Sequence, residues 1–222
     1  MLLPGRKIDL TGRRHCGLAV NQKLLFTLIF VSTLIGSAWL HEACHSVAAL
    51  IQGVPSVPTP FKEYPLQQSI GWPREIWISF GGVAGTVLLV VGTILWYLFR
   101  NRTNGEAVLA GVLVAPATYT VRFAIAGRGH DDAEWQAAQT VLGVNPGGHF
   151  LDIVFLLLCI TAVAGWMIRR RDSLRMSSIC KVAALMVCGV VILVSLQSLN
   201  NLLFDRFFPR TSPAATGETP SD

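Results

Sequence analysis

This chain is predicted to be an all-α, polytopic membrane protein with about five transmembrane helices, on three observations. Its 222 residues are 52% hydrophobic and only 14% charged, with a mean hydropathy of +0.51, whereas soluble domains carry about 25% charged residues. The apolar residues are gathered into blocks, each near or above the ~20 residues needed to cross a ~30 Å hydrocarbon core. The basic residues collect in alternate connections between those blocks, as topology signals do.

The blocks cover residues 24–53, 76–99, 107–126, 150–168 and 182–204. In the first, Gly36-Ser37-Ala38 resembles a small-residue cleavage site, but the helical pattern continues through Ser46, Val47, Ala48, Ala49, Leu50 and Ile51 before Gly53 ends it. An uncleaved signal anchor is therefore expected. The connection that follows carries Pro55, Pro58, Pro60, Pro65 and Pro73, too many for a regular helix. It reads either as a re-entrant edge able to pair with an unwound peptide or as a stiff external connector. The second block opens on Ser79-Phe80-Gly81-Gly82-Val83-Ala84-Gly85, whose glycines suit close helix packing, or room for an extended substrate. The third block contains Arg122, read as a snorkelling or ion-paired residue or as a helper at a reacting oxygen, and the fourth starts near Asp152. Asn200 and Asn201, late in the fifth, either line an aqueous cavity or bond between helices. The organisation expected is a basic cytoplasmic segment at 1–23, one membrane domain at 24–206, and a disordered tail at 207–222 rich in Pro, Ser and Thr.

With the N terminus in the cytoplasm, the inner segments collect Arg6, Lys7, Arg13, Arg14, Lys23, Arg100, Arg102, Arg169, Arg170, Arg171, Arg175 and Lys181. The outer ones receive only Lys62, Arg74, Arg128, Arg206 and Arg210. This bias predicts N-in and C-out, in a bacterial-type plasma membrane. The net charge of +5 is thereby accounted for by topology, and no basic patch interleaved with aromatics points to a nucleic acid. The cysteines, Cys16, Cys44, Cys159, Cys180 and Cys188, form no C-x-x-C pair, and two of them fall on the cytoplasmic side, so no disulfide framework is expected.

The chemistry-bearing feature is His41-Glu42-Ala43-Cys44-His45, an H-E-x-x-H pattern in which Glu42 is the one formal charge between Leu24 and Phe61. An acidic residue at the middle of a membrane helix costs ~2.5–3.5 kcal/mol on insertion scales, which makes such groups functional candidates first. Helix geometry puts positions i and i+4 about 40° apart and roughly 6 Å along the axis, so His41 and His45 can share one metal ion. Glu42 lies beside them as a general base for a metal-activated water. The competing reading is a polar cluster closed by hydrogen bonds between helices. Cys44 reads as a small packing residue.

A catalytic zinc needs a third protein donor. The segment after the third block, Gly127-Arg128-Gly129-His130-Asp131-Asp132-Ala133-Glu134, is the richest in acids and imidazole, and the topology puts it on the same side as His41 and His45. Asp131 is the first choice, Asp132 the second and His130 the third. The plainer reading is that these acids start a surface helix and complement its dipole, and that explanation covers Glu134 well. His149 and Asp152, three apart, are a further pair on this side, for which packing at a helix start is favoured.

The H-E-x-x-H on an early membrane helix, with the glycine-rich opening of the second block, resembles the site-2-protease-like membrane zinc metallopeptidases. Gly129-His130-Asp131 is similar to the G-x-D element of some divergent members. The resemblance spans about residues 24–135. It implies Zn²⁺ held by His41, His45 and Asp131, with Glu42 as general base. This sequence lacks the D-G element, preceded by Asn and Pro, of the best-known members, since Asn145-Pro146-Gly147-Gly148 has no acid. Those members also hold the metal nearer the cytoplasmic side, whereas the charge bias here puts it outside.

The expected function is zinc-dependent hydrolysis of peptide bonds in membrane or membrane-proximal substrates, with membrane lipid and a peptide or membrane-protein substrate as partners. A transporter would place polar residues in several spans near the midplane. A non-catalytic scaffold that keeps a metal site is the other alternative.

Overall fold

Inside hydrocarbon every backbone N–H and C=O must be satisfied by the protein itself, and a helix does this within one segment. The apolar blocks accordingly fold as helices. The structure, a computed structural model, describes residues 21–66, 71–99, 104–127, 129, 132–171 and 176–207, with the backbone alone at 132, 177 and 178. Its elements are α1 (Gln22–Ile51), β1 (Ser56–Thr59), β2 (Lys62–Pro65), α2 (Trp72–Phe99), α3 (Gly105–Ala126), α4 (Asp132–Val141), α5 (Phe150–Arg170) and α6 (Met176–Phe204). Among the described residues α1, α2, α3, α5 and α6 are long and apolar enough to cross a membrane. The protein is thus an all-α polytopic membrane protein, as predicted. The segment assigned to 1–23 and the tail assigned to 207–222 lie almost wholly outside the described residues.

The helix ends explain where the observed spans exceed the apolar blocks. α2 starts at Trp72, with Pro73 in its first turn, where the missing N–H costs nothing, and with Glu75 beside the positive end of the dipole. Asn21 caps α1 by accepting the Lys23 N–H at 3.0 Å. Gly53 (φ 72°) and Gly127 (φ 77°) stop α1 and α3 in the left-handed conformation that glycine adopts without a Cβ clash.

The described first part of the proline-rich connection is not irregular. It forms an antiparallel hairpin with Val57 opposite Tyr64 and Thr59 opposite Lys62. The turn residues are Pro60 and Phe61, and the Thr59 hydroxyl donates to the Lys62 carbonyl at 2.6 Å. The hairpin packs on α1 and is tied to the end of α6. Asp205 Oδ1 lies 2.5 Å from Lys62 Nζ and accepts from the Tyr64 hydroxyl at 2.9 Å.

Lipid tails are as apolar as leucine, so contacts between spans rest on close packing and polar bonds rather than on the hydrophobic effect. Val90, Ile94 and Tyr97 of α2 pack with Leu109 and Val112 of α3 and Ala162 of α5. Phe30 and Leu34 of α1 pack with Ala107 and Val114 of α3. Gly111 brings α3 against α1 so closely that a Cβ there would lie 2.8 Å from the Phe30 carbonyl oxygen. At this end Arg170 pairs with Glu106 through two contacts of 2.5 and 2.7 Å, and Arg169 donates to the Tyr97 carbonyl. The opposite end carries the hairpin, α4 and the start of α5. Ile153, Leu157, Ile160 and Val163 form an exposed apolar stripe on α5, as a lipid-facing surface requires.

Candidate metal centre

α1 and α2 run antiparallel with their polar groups in matching steps. His45 Nδ1 lies 2.8 Å from the Ile78 carbonyl, and His41 Nδ1 lies 3.1 Å from the Gly82 carbonyl and 2.8 Å from Thr86 Oγ1. Ile78 and Gly82 are four residues apart, as are the two histidines. A carbonyl only accepts, so in both rings Nδ1 carries the proton and donates. In the neutral form of each imidazole that leaves the lone pair on Nε2, and the two Nε2 atoms turn to one another at 3.1 Å. Orientation of a ligating imidazole through its other nitrogen is the usual support around a metal.

The glycines of α2 make this approach possible. A Cβ at Gly82 would sit 2.1 Å from His45 Nε2, one at Gly85 would sit 2.3 Å from Cys44 Sγ, and one at Gly81 would sit 2.6 Å from the Ala48 Cβ. All three face α1, and the space they leave is taken by the motif helix. Cys44 packs there as a small side chain, as expected.

The third converging group is Glu134. Its Oε1 lies 3.5 Å from His41 Nε2 and 3.5 Å from His45 Nε2, and its side chain is 14% exposed. It is the third residue of α4, and its helical phase follows from the residues it neighbours. Trp135, Ala137 and Ala138 are buried, with Trp135 stacked on Phe155 at 5.3 Å and edge-on to Tyr119 at 5.6 Å. Positions 137 and 138 lie three and four residues beyond 134, so Glu134 shares the inward stripe of the helix.

His41, His45 and Glu134 offer ligand atoms that all lie within 4.8 Å of one another. Three electron-pair donors aimed at one point are stable together only around something electropositive, a metal ion or a proton. A tetrahedral zinc with bonds of about 2.0–2.2 Å separates its ligand atoms by about 3.3–3.6 Å. The two separations of 3.5 Å from Glu134 fall in that range, and the 3.1 Å between the imidazoles is about 0.2 Å short of it. Two imidazoles, one carboxylate and an open fourth position is also a donor set of catalytic zinc.

Glu42 is half-buried on the adjacent face of α1, with His45, Glu134 and Glu63 of β2 as electrostatic neighbours. Tyr119 of α3 lies in the same surroundings, with Glu134 and Glu42 as its neighbours. Asp131, first choice for the third ligand, and His130 lie outside the described residues, and so does the side chain of Asp132, which opens α4. The reading of Glu134 as a surface dipole acid does not match its placement, because its side chain is turned inward to the imidazoles. His149 lies apart from the cluster, 51% exposed, with Nδ1 3.3 Å from Asp152 Oδ2. Arg122 is exposed on α3. Asn200 is 4% exposed, and neither of its amide atoms has a hydrogen-bond partner among the described residues.

Fold and site together define a polytopic membrane protein with a candidate His-His-Glu metal centre near one end of its helices. Comparison with protein-family models, with curated proteins and with solved structures finds no match for the chain.

Proposed function

We propose that the protein is a membrane-embedded metallopeptidase, with His41, His45 and Glu134 holding zinc and Glu42 acting as general base. The observation that carries this reading is the convergence of both Nε2 atoms and a Glu134 oxygen on one point beside Glu42. Zinc, when bound, supplies Lewis acidity, lowering the pKa of water toward ~7 and polarising a carbonyl.

The chain's own groups do the rest. The Ile78 and Gly82 carbonyls and Thr86 hold the imidazoles in one tautomer and orientation. The Glu42 carboxylate takes a proton from the attacking water and returns it to the departing amine nitrogen. β2 passes beside Glu42, so an extended segment added to the edge of the hairpin would run along the site. In the N-in orientation the centre lies toward the outer face, and the arginine-rich end of α5 lies at the cytoplasmic face. Peptide bonds within or just outside the membrane are the substrate class this placement favours.

The test is zinc content alongside cleavage of membrane-tethered peptides, for the wild type and for Glu42→Gln, Glu134→Ala and Asp131→Ala. Glu42→Gln is expected to keep zinc and lose cleavage, and Glu134→Ala to lose both. Zinc retained in Glu134→Ala but lost in Asp131→Ala would move the third ligand to the position the resemblance implies. A wild type without zinc would leave a protonated His-His-Glu cluster as the account of the site. Zinc without cleavage, unchanged by Glu42→Gln, would make the protein a scaffold.

A further inference from the structure

The geometry points to Asp152 as the positioning residue that sets Glu134 at the metal centre, an inference that rests on the metal reading above. Asp152 opens α5 with its side chain 1% exposed. One oxygen, Oδ1, accepts two hydrogen bonds, from the Gly129 N–H and from the Trp135 indole N–H, each at 2.9 Å. These donors bracket Glu134 in the chain, one in the loop before α4 and the other on the residue directly after it. Oδ2 lies 3.3 Å from His149 Nδ1.

Packing alone does not account for an acid here. A carboxylate taken out of water is costly unless its lone pairs are met, and a well-packed apolar side chain would hold two helices together as firmly. What the carboxylate adds is directional. α4 has only 10 residues, below the ~12–15 at which isolated helices become even marginal, so its phase and height depend on its anchors. Gln139, fully buried, holds the far end of α4 by donating to the Pro146 and Gly148 carbonyls at 2.7 and 3.2 Å. Asp152 holds the end that carries Glu134. The loop is fitted to that oxygen, for a Cβ at Gly129 would lie 2.6 Å from Asp152 Oδ1 and 2.9 Å from the Tyr119 carbonyl. A ligand carboxylate must be held within a few tenths of an ångström to bond a metal, and Asp152 restricts Glu134 from both sides.

The experiment is zinc affinity, and the visible absorption of the cobalt-substituted protein, in the full chain with Asp152→Leu, Asp152→Asn and Trp135→Phe. Asp152→Leu is expected to weaken zinc by about 10–100-fold and to change the cobalt spectrum, as loss of support behind a ligand does. Asparagine keeps an oxygen that accepts both N–H groups, so Asp152→Asn is expected to restore affinity to within about threefold of wild type and to restore the spectrum. Trp135→Phe deletes one donor while keeping the ring on Phe155, and is expected to weaken zinc about tenfold. It carries the test if Asp152→Leu does not fold. Wild-type affinity and spectrum in Asp152→Leu, or in Trp135→Phe where Asp152→Leu is unfolded, would overturn the inference while leaving the metal reading intact. A wild type that takes up neither zinc nor cobalt would overturn both.

Discussion

Gly82→Ala isolates the fit between α1 and α2 on which the imidazole geometry depends. The added methyl would start 2.1 Å from His45 Nε2, 2.4 Å from Cε1 and 2.6 Å from Cδ2, all atoms of one ring. Ordinary contact begins near 3.4 Å, so the ring must retreat by roughly 1.3 Å. Metal–ligand distances tolerate about 0.2 Å, so a shift of that size removes His45 from the donor set. Zinc affinity is therefore expected to fall by at least about 100-fold, with overpacking costing roughly 1–3 kcal/mol of stability besides. Competition against a chromophoric chelator measures the first, and thermal unfolding of the zinc-free protein measures the second. Gly92→Ala in the same helix is the control, since a Cβ there meets nothing within 4 Å, and it is expected to leave zinc affinity unchanged. Near-wild-type affinity in Gly82→Ala would refute the placement of His45 against α2.

Thr86→Val removes one of the two acceptors of the His41 Nδ1 proton and leaves the Gly82 carbonyl. Zinc affinity is expected to drop about tenfold and to recover in Thr86→Ser, and a Val variant indistinguishable from wild type in the same titration would deny Thr86 that role. Asp205→Ala removes the contacts that Lys62 and Tyr64 make with it at the partly exposed clasp between hairpin and α6, a loss of about 0.5–1 kcal/mol. Hydrogen exchange across residues 56–65 is then expected to quicken about two- to fivefold with zinc content unaltered, and unchanged exchange would mean that the Asp205 contacts do not hold the hairpin.

The spans were legible because hydrocarbon imposes a simple rule, and a run of apolar residues long enough to cross it must be helical. The i, i+4 histidines were legible for the same reason, since helix geometry alone brings them together. The hairpin was not. Pro60-Phe61 is no standard turn dipeptide, and prolines that exclude helix do not by themselves announce a strand. The convergence of Glu134 on the histidines was not legible, because it depends on which face of a short helix turns inward, while Asp131, His130 and the Asp132 side chain lie outside the described residues. That phase is set by Trp135 on Phe155 and by Asp152, contacts distant in sequence. A weaker signal was present, as Glu134 falls in helical step with Ala137, Ala138 and Val141.

The three donors are widely spaced along the chain, and synthesis proceeds from the N terminus. His41 and His45 emerge before the α2 carbonyls that orient them, and Glu134 follows only after α3 is made. The nascent first helix therefore offers two imidazoles of unfixed tautomer, a weak trap for any ion. Selective capture of the proposed metal would wait until three spans are in place and the short helix beyond them has docked. On the proposed reading, metal loading would be a checkpoint on assembly, and an inserted but misfolded chain would be left without its metal centre.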